Sequence, residues 1–380
     1  MNRRSSTAIA LTAVGAGALA LAGCSSDSGS STAANTISVD SGDTTCTVNP
    51  TTANAGQMTF SIKNSGAQVS EFYVYAADGK SIVSEVENIS PGTQRDLIAT
   101  INPGSYVTAC KPGMTGDGIR GTFTVTGSKQ SSTAAQQTAV AQYTKYVQGQ
   151  TKELSTRTAA FAAAYKAGNT AQAKALYASA REPYESIEPV AESFGDLDPK
   201  LDARVNDVEP GQQWTGWHRI EKDLWAPGGK PLNATQRAAL ADQLLADTQE
   251  LQEKVNSGLD LDVSKIGNGA KELMDEVATS KVTGEEDRYS HTDLQDFQGN
   301  IDGAKAAFEA LEPIVQANDA ALVSKLNTEF ANVQAMLNKY KRGSGYAPYT
   351  ELTKAQVKEL ATQVDALSEP LSKLTTAASK

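Results

Sequence analysis

The sequence predicts a two-part fold, an all-β sandwich at the N-terminal end followed by an all-α helical bundle domain, and three observations predict it. Short alternating apolar runs recur at intervals of about ten residues between positions 36 and 127. A polar stretch at 128–137 interrupts that pattern, and beyond it Ala, Leu, Glu, Lys and Gln dominate with helical spacing. The length of 380 residues agrees, because at roughly 150 residues per domain it predicts two or three domains.

The first residues carry an address. Arg3 and Arg4 precede an apolar stretch from Ala8 to Ala22, which suits the core of a signal peptide and is too short to span a bilayer. The sequence Leu21-Ala22-Gly23-Cys24 resembles a bacterial lipobox, in which the cysteine becomes the lipidated first residue. The expectation is a signal peptide over 1–23, a lipid on Cys24, a Ser/Gly-rich tether over 24–35 and an extracytoplasmic protein held at the membrane surface. An ordinary cleavable signal and twin-arginine export are the alternatives. No other run approaches the ~18 apolar residues of a membrane-spanning helix.

The sandwich is expected over 36–127. Met58–Ile62, Phe72–Tyr75, Ser105–Thr108 and Thr122–Val125 alternate as strands do, and Asn64-Ser65-Gly66, Asp78-Gly79, Pro91-Gly92 and Pro103-Gly104 supply turns. The helical domain is expected over 138–380. Its helices fall at Thr138–Ala167, Thr170–Phe194, Gln213–Leu224, Thr235–Ser257, Gly269–Thr279, Asn300–Ala317, Ala320–Lys341 and Lys354–Ala377. Asn169, Asn233 and Asn318-Asp319 are capping signals.

Charge narrows the chemistry. With 34 Lys+Arg against 44 Asp+Glu the net charge is −10, which argues against a nucleic-acid partner. Only two histidines, His218 and His291, exclude a zinc site built on several imidazoles. Gly116-Asp117-Gly118-Ile119-Arg120-Gly121 matches a dinucleotide fingerprint, but Thr122–Thr126 reads as a strand, so no helix N-terminus awaits a pyrophosphate.

Cys46 and Cys110 both lie in the β region and outside the cytosol. They suit a structural disulfide, or alternatively a metal or redox site. A blue-copper site is excluded because residues 24–127 hold no histidine. Ligands available there are Cys46, Cys110, Met114 and carboxylates such as Glu71; thiolates favour copper(I) and carboxylates favour harder ions.

The helical region holds the richer pattern. In Trp217-His218-Arg219-Ile220-Glu221, His218 and Glu221 are three residues apart, so imidazole and carboxylate meet on one helix surface. Bundle-core metal sites use this pair at this spacing. Lys222 stands where a zinc protease would need the second His of His-Glu-x-x-His. Glu182 and Glu185 repeat the three-residue spacing, Asp196, Asp198 and Asp202 follow, and Tyr289-Ser290-His291-Thr292-Asp293 can add an Asp or a His. An acidic group of this kind is ordinarily a solvated face, but packed on His218 it makes an oxygen-rich site for iron, manganese or zinc.

Together the lipobox, a cupredoxin-like domain with Cys46, Glu71 and Cys110, and the motifs Glu182-Pro183-Tyr184-Glu185-Ser186-Ile187-Glu188-Pro189, Trp217-His218-Arg219-Ile220-Glu221-Lys222-Asp223-Leu224-Trp225 and Tyr289-Ser290-His291-Thr292-Asp293-Leu294 resemble the EfeO family. These are extracytoplasmic iron-binding components of EfeUOB-type iron uptake, with an imelysin-like C-terminal part. The resemblance implies that His218 and Glu221 form the signature metal motif, that Glu182 and Glu185 share it, and that Asp198, Asp202 or Asp293 complete it. It nominates Cys46, Glu71 and Cys110 as a second metal site, for copper, zinc or iron. The implied cargo is ferrous or ferric iron, and the implied partners are a permease, EfeU, and a haem peroxidase, EfeB. No catalytic residue is expected; a metal-dependent peptidase of imelysin type is the alternative.

Overall fold

A computed structural model describes residues 35–208, 211–226 and 231–380. The expected signal peptide, the lipidation site Cys24 and the tether up to residue 34 lie outside the described residues. No helix among the described residues is long and apolar enough to cross a membrane.

Nine strands build the sandwich: β1 (Asn35–Ser41), β2 (Cys46–Asn49), β3 (Thr52–Asn54), β4 (Gly56–Asn64), β5 (Ser70–Tyr75), β6 (Ile82–Ile89), β7 (Gln94–Ile101), β8 (Gly104–Cys110) and β9 (Ile119–Thr126). One sheet runs β2-β1-β4-β7 and the other β3-β9-β8-β5-β6. Strand alternation sends Phe60, Ile62, Phe72, Val74 and Phe123 inward, where the Phe60 ring centroid lies 5.4 Å from those of Phe72, tilted, and Phe123, edge-on. Ile119–Thr126 is a strand, as the rejection of a dinucleotide site requires.

Cys46 begins β2 in one sheet, Cys110 ends β8 in the other, and a disulfide joins them. Cys110 is paired with Phe72 and shares its inward face, whereas Glu71 is one residue before Phe72 and therefore points out of the sandwich beside Tyr73. The nominated second metal site of Cys46, Glu71 and Cys110 is thereby corrected: both thiolates are consumed in the bridge, and the carboxylate lies across the sheet from it. Met114 is exposed and joins nothing there.

The helical region contains α1 (Ala134–Lys166), α2 (Thr170–Glu185), α3 (Leu197–Asp202), α4 (Gly216–Trp225), α5 (Ala234–Ser257), α6 (Val263–Thr279), α7 (Asp293–Asn318), α8 (Ala320–Asn338), α9 (Lys354–Leu371) and α10 (Leu374–Ala378). The first helix starts before the expected Thr138 because Thr133 and Gln136 form a capping box. The expected helix Thr170–Phe194 breaks after Glu185 and continues as a 3-10 segment, Glu188–Phe194, with Pro189 in its first turn. The helix expected from Gly269 begins at Val263, where the Asp262 side chain accepts from the Ser264 and Lys265 amides. The helix expected through Ala377 ends at Leu371, next to Pro370.

The outer face of β6 and β7 packs on α6 and the 3-10 segment. Arg95 pairs with Asp275, the Asn268 side chain donates to the Ile98 carbonyl at 2.7 Å, and Thr100 and Ser264 hydroxyls meet at 3.0 Å.

Replacing both Cys46 and Cys110 by Ala is expected to cost the sandwich about 2–5 kcal/mol, because the bridge restrains the unfolded chain. Urea unfolding checks this; an unchanged midpoint contradicts a structural role for the bridge.

Candidate metal centre

His218 reaches its position through backbone contact. Gly216 opens α4 with φ of +83°, and a Cβ there would lie 2.2 Å from the Leu201 carbonyl oxygen, so only glycine lets α4 close onto the end of α3. That approach brings His218 to Asp202. The imidazole is 2% exposed, and its two nitrogens face different groups. Nδ1 lies 3.1 Å from Glu221 Oε2 and 4.0 Å from Asp287 Oδ1. Nε2 makes no hydrogen bond among the described residues and faces Asp202 Oδ1 at 3.5 Å and Glu286 Oε1 at 3.4 Å.

Glu221 is held on both sides. Its Oε1 accepts the backbone amides of Tyr289 at 2.8 Å and Ser290 at 2.7 Å, so the loop between α6 and α7 fixes the carboxylate that fixes the imidazole. Asp287 accepts from the Tyr177 hydroxyl at 3.1 Å and from Thr292. The Nδ1 side of His218 is thus a closed network. The Nε2 side is not, since Asp202 and Glu286 also line a cleft of about 380 Å³.

Beside the histidine lies Arg181, wholly buried, whose guanidinium meets four carboxylates: Glu185, Asp202, Glu286 and Asp296. Lys281, also buried, donates to Glu185 Oε2 at 3.1 Å and Glu188 Oε2 at 2.8 Å. Asn300 donates to Glu185 Oε2 at 2.9 Å and to Glu188 Oε2 at 2.5 Å. Buried charge of this density survives only when each ion has a partner.

The electrostatics divide the carboxylates into two classes. Burial would raise the pKa of Glu286, but Lys281, His218, Arg181 and Arg204 hold it well below the ordinary value. Asp202 is likewise lowered, because Arg181 and His218 outweigh burial. Asp296 goes the other way, pushed well up by burial and by the charge of Asp287, and neither of its oxygens has a hydrogen-bond partner. Burial and Asp287 also push Asp293 up to about 8. For His218, burial and the Arg181 charge oppose protonation, but Asp202, Glu221 and Glu286 outweigh both and raise its pKa well above the ordinary value.

Among the described residues, three sets of side chains have ligand atoms close enough to share one ion: Asp202, His218 and Glu286; His218, Glu221 and Asp287; and Glu185, Glu188 and Asp202. The expected His218, Glu221, Glu185 and Asp202 are therefore brought together. Glu182 is not. On α2 the inward face carries Arg181 and Glu185, and Glu182 turns toward Arg157 of α1 at 3.5 Å. Asp198 sits nearby, bound by the Tyr184 hydroxyl, and burial raises it to about 6. Asp293 is behind the centre, its Oδ1 accepting the Asp287 amide at 3.2 Å. His291 stays outside the cluster. Sequence reasoning missed Glu286, Asp287, Asp296, Arg181 and Lys281; the acidic run Glu285-Glu286-Asp287 is the local signal that the first two carried.

A sandwich followed by a helical bundle with a buried histidine and carboxylates defines a two-domain class of candidate metal binders, and the comparisons with known proteins agree. Residues 139–374 match the family model described as Imelysin, and residues 13–125 match that of a cupredoxin-like domain. Proteins named "Iron uptake system component EfeO" from Escherichia coli O157:H7, Escherichia coli K12 and Shigella flexneri are each 38% identical over 330 residues, covering 85% of this chain and 86% of theirs. The chain belongs to the EfeO family, with an imelysin domain as its helical part.

Replacing Arg181 by Met would strand four carboxylates together in the interior. The expected loss is about 3–5 kcal/mol of stability at neutral pH, checked by chemical denaturation. A loss below 1 kcal/mol would mean that the carboxylates do not need the guanidinium.

Proposed function

We propose that this protein is an extracytoplasmic iron carrier that binds the ion at the Nε2 face of His218 with Asp202 and Glu286, and hands it to a membrane permease. The observation that carries the reading is the buried Nε2, without a hydrogen bond and facing two carboxylates at 3.4 to 3.5 Å. Glu221 on Nδ1 then orients the ring, the usual arrangement behind a metal-bound histidine. One imidazole with several carboxylate oxygens suits iron better than copper(I). The names of the relatives supply the cargo, iron, and the uptake role. Lipidation at Cys24 would hold the carrier at the membrane, near an EfeU-type permease and an EfeB-type haem peroxidase.

The peptidase-like reading is less well supported. Glu221 would have to take a proton from a metal-bound water, yet its oxygens are engaged by two backbone amides and by His218 Nδ1.

Titration of the protein with ferrous iron under anaerobic conditions tests the carrier reading. His218→Ala is expected to abolish binding at this centre, and Glu221→Gln to weaken it about 10–100-fold. Saturable binding that neither substitution changes would refute the assignment.

Acidity has a definite sign. The raised pKa of His218 keeps its imidazole protonated in the metal-free protein at neutral pH, and an ion at Nε2 must displace that proton. Affinity should rise with pH by on the order of tenfold per unit for one proton displaced. Calorimetry in two buffers of different ionisation enthalpy reads the released proton; a flat pH profile would contradict an imidazole ligand.

A further inference from the structure

The centre is nearly closed to solvent, since His218 and Glu286 are each 2% exposed. The cleft of about 380 Å³ that reaches Asp202 and Glu286 has the sandwich for one wall: Ile82, Asn88 and Arg95 line it on that side, and Pro189, Leu273 and Asp275 on the helical side. A wider path to the centre therefore requires one wall to move.

The packing says which. The apolar core of the sandwich and that of the helical domain share no residue, so no common core is lost when the two part. A second cleft, of about 550 Å³, lies between residues 94–98 of β7 and helices α6 and α9. Well-packed interiors leave few voids larger than a water molecule. Arg95 and Asp275 line both clefts, and their ion pair stands as a post between them.

Polar contacts bridge the interface. Arg95 donates to Asp275 Oδ2, Lys271 donates to the same oxygen at 2.5 Å, and Ser368 of α9 donates to Oδ1. One carboxylate thus ties the sandwich to two helices. Burial opposes the ionisation of Asp275, but Lys271, Ser368 and Arg95 outweigh it and hold the carboxyl below its ordinary value. Farther along β7, an edge strand of its sheet, the Ile98 carbonyl accepts the Asn268 side chain at 2.7 Å, and the Thr100 and Ser264 hydroxyls meet at 3.0 Å. Residues 127–133, which form neither strand nor helix, make the covalent connection between the domains.

We infer that the sandwich is a hinged lid over the His218 centre, clasped shut by the Arg95–Asp275 pair, and that its opening admits and releases the ion. The inference rests on the carrier reading for what passes through. Hydrogen bonds and ion pairs at such an interface are replaced by water when it opens, so opening costs little. The lid supplies no ligand to the centre. It therefore sets the rates of loading and release and leaves their ratio, the affinity, unchanged.

Alkylation of the metal-free intact protein by iodoacetamide tests the clasp. Ser264→Cys, at a position 1% exposed beneath Thr100, reads opening, and Ala304→Cys in the core of α7 reads unfolding. Adding Arg95→Ala is expected to speed the first about fivefold and to leave the second unchanged. Stopped-flow loading with ferrous iron under anaerobic conditions, and its removal by a ferrous chelator, test the lid. Arg95→Ala should speed both by a similar factor, and the disulfide formed in Thr100→Cys/Ser264→Cys should slow both on the order of tenfold against either single variant. Unchanged alkylation of Ser264→Cys beside Arg95→Ala would overturn the inference, as would iron rates that the disulfide leaves unaltered. In both cases saturable binding that is lost in His218→Ala would leave the carrier reading standing. A native chain without saturable iron binding would overturn the carrier reading and the lid together.

Discussion

A guanidinium without solvent contact obliges the chain to gather its counter-charges from far apart. Arg181 draws Glu185 from its own helix, Asp202 from the end of α3, Glu286 from the loop after α6 and Asp296 from the start of α7. The rest of the centre follows from that requirement. Once Asp202 and Glu286 are held by Arg181, they stand opposite His218 Nε2, and the glycine at 216 lets the histidine's helix come close enough to meet them. The loop that carries Glu286 also presents the amides of Tyr289 and Ser290 to Glu221.

The centre is therefore balanced rather than neutralised by chance. Arg181, Lys281 and protonated His218 provide positive charge to a larger set of carboxylates, and burial together with Asp287 pushes Asp293 and Asp296 toward their neutral forms. A cation arriving at Nε2 would compete with the His218 proton, and with the Arg181 guanidinium for the oxygens of Asp202 and Glu286. Such competition would make binding reversible and pH-dependent, as the proposed carrier role requires.

Much of this was legible in the sequence. The change of grammar near residue 127 separates the two domains, and the three-residue spacing of His218 and Glu221 survives in the structure as a direct contact. Helix ends were less readable: Pro189 lies beyond the break after Glu185, whereas Pro370 sits inside α9, directly before its last residue. Glu182 and Glu185 looked equivalent, yet the direction of α2 relative to α1 sends one to Arg157 and the other to the centre; no local pattern carries that rotation. The cysteines left two readings open, and the pairing of Phe72 with Cys110 resolves them by placing Glu71 on the opposite face of the sheet. Glu286 and Asp287 were invisible because the contacts that place them in the centre come from distant parts of the sequence, such as Glu286 with Arg181 and Asp287 with Tyr177, 105 and 110 positions away.

X-ray absorption at the iron edge of the loaded protein tests the central claim most directly, since it reads the ligand shell without reference to any substitution. The account predicts a shell of oxygen and nitrogen, with the multiple-scattering signature of one imidazole and no sulfur. A sulfur scatterer, or a shell without imidazole, would place the iron somewhere other than His218.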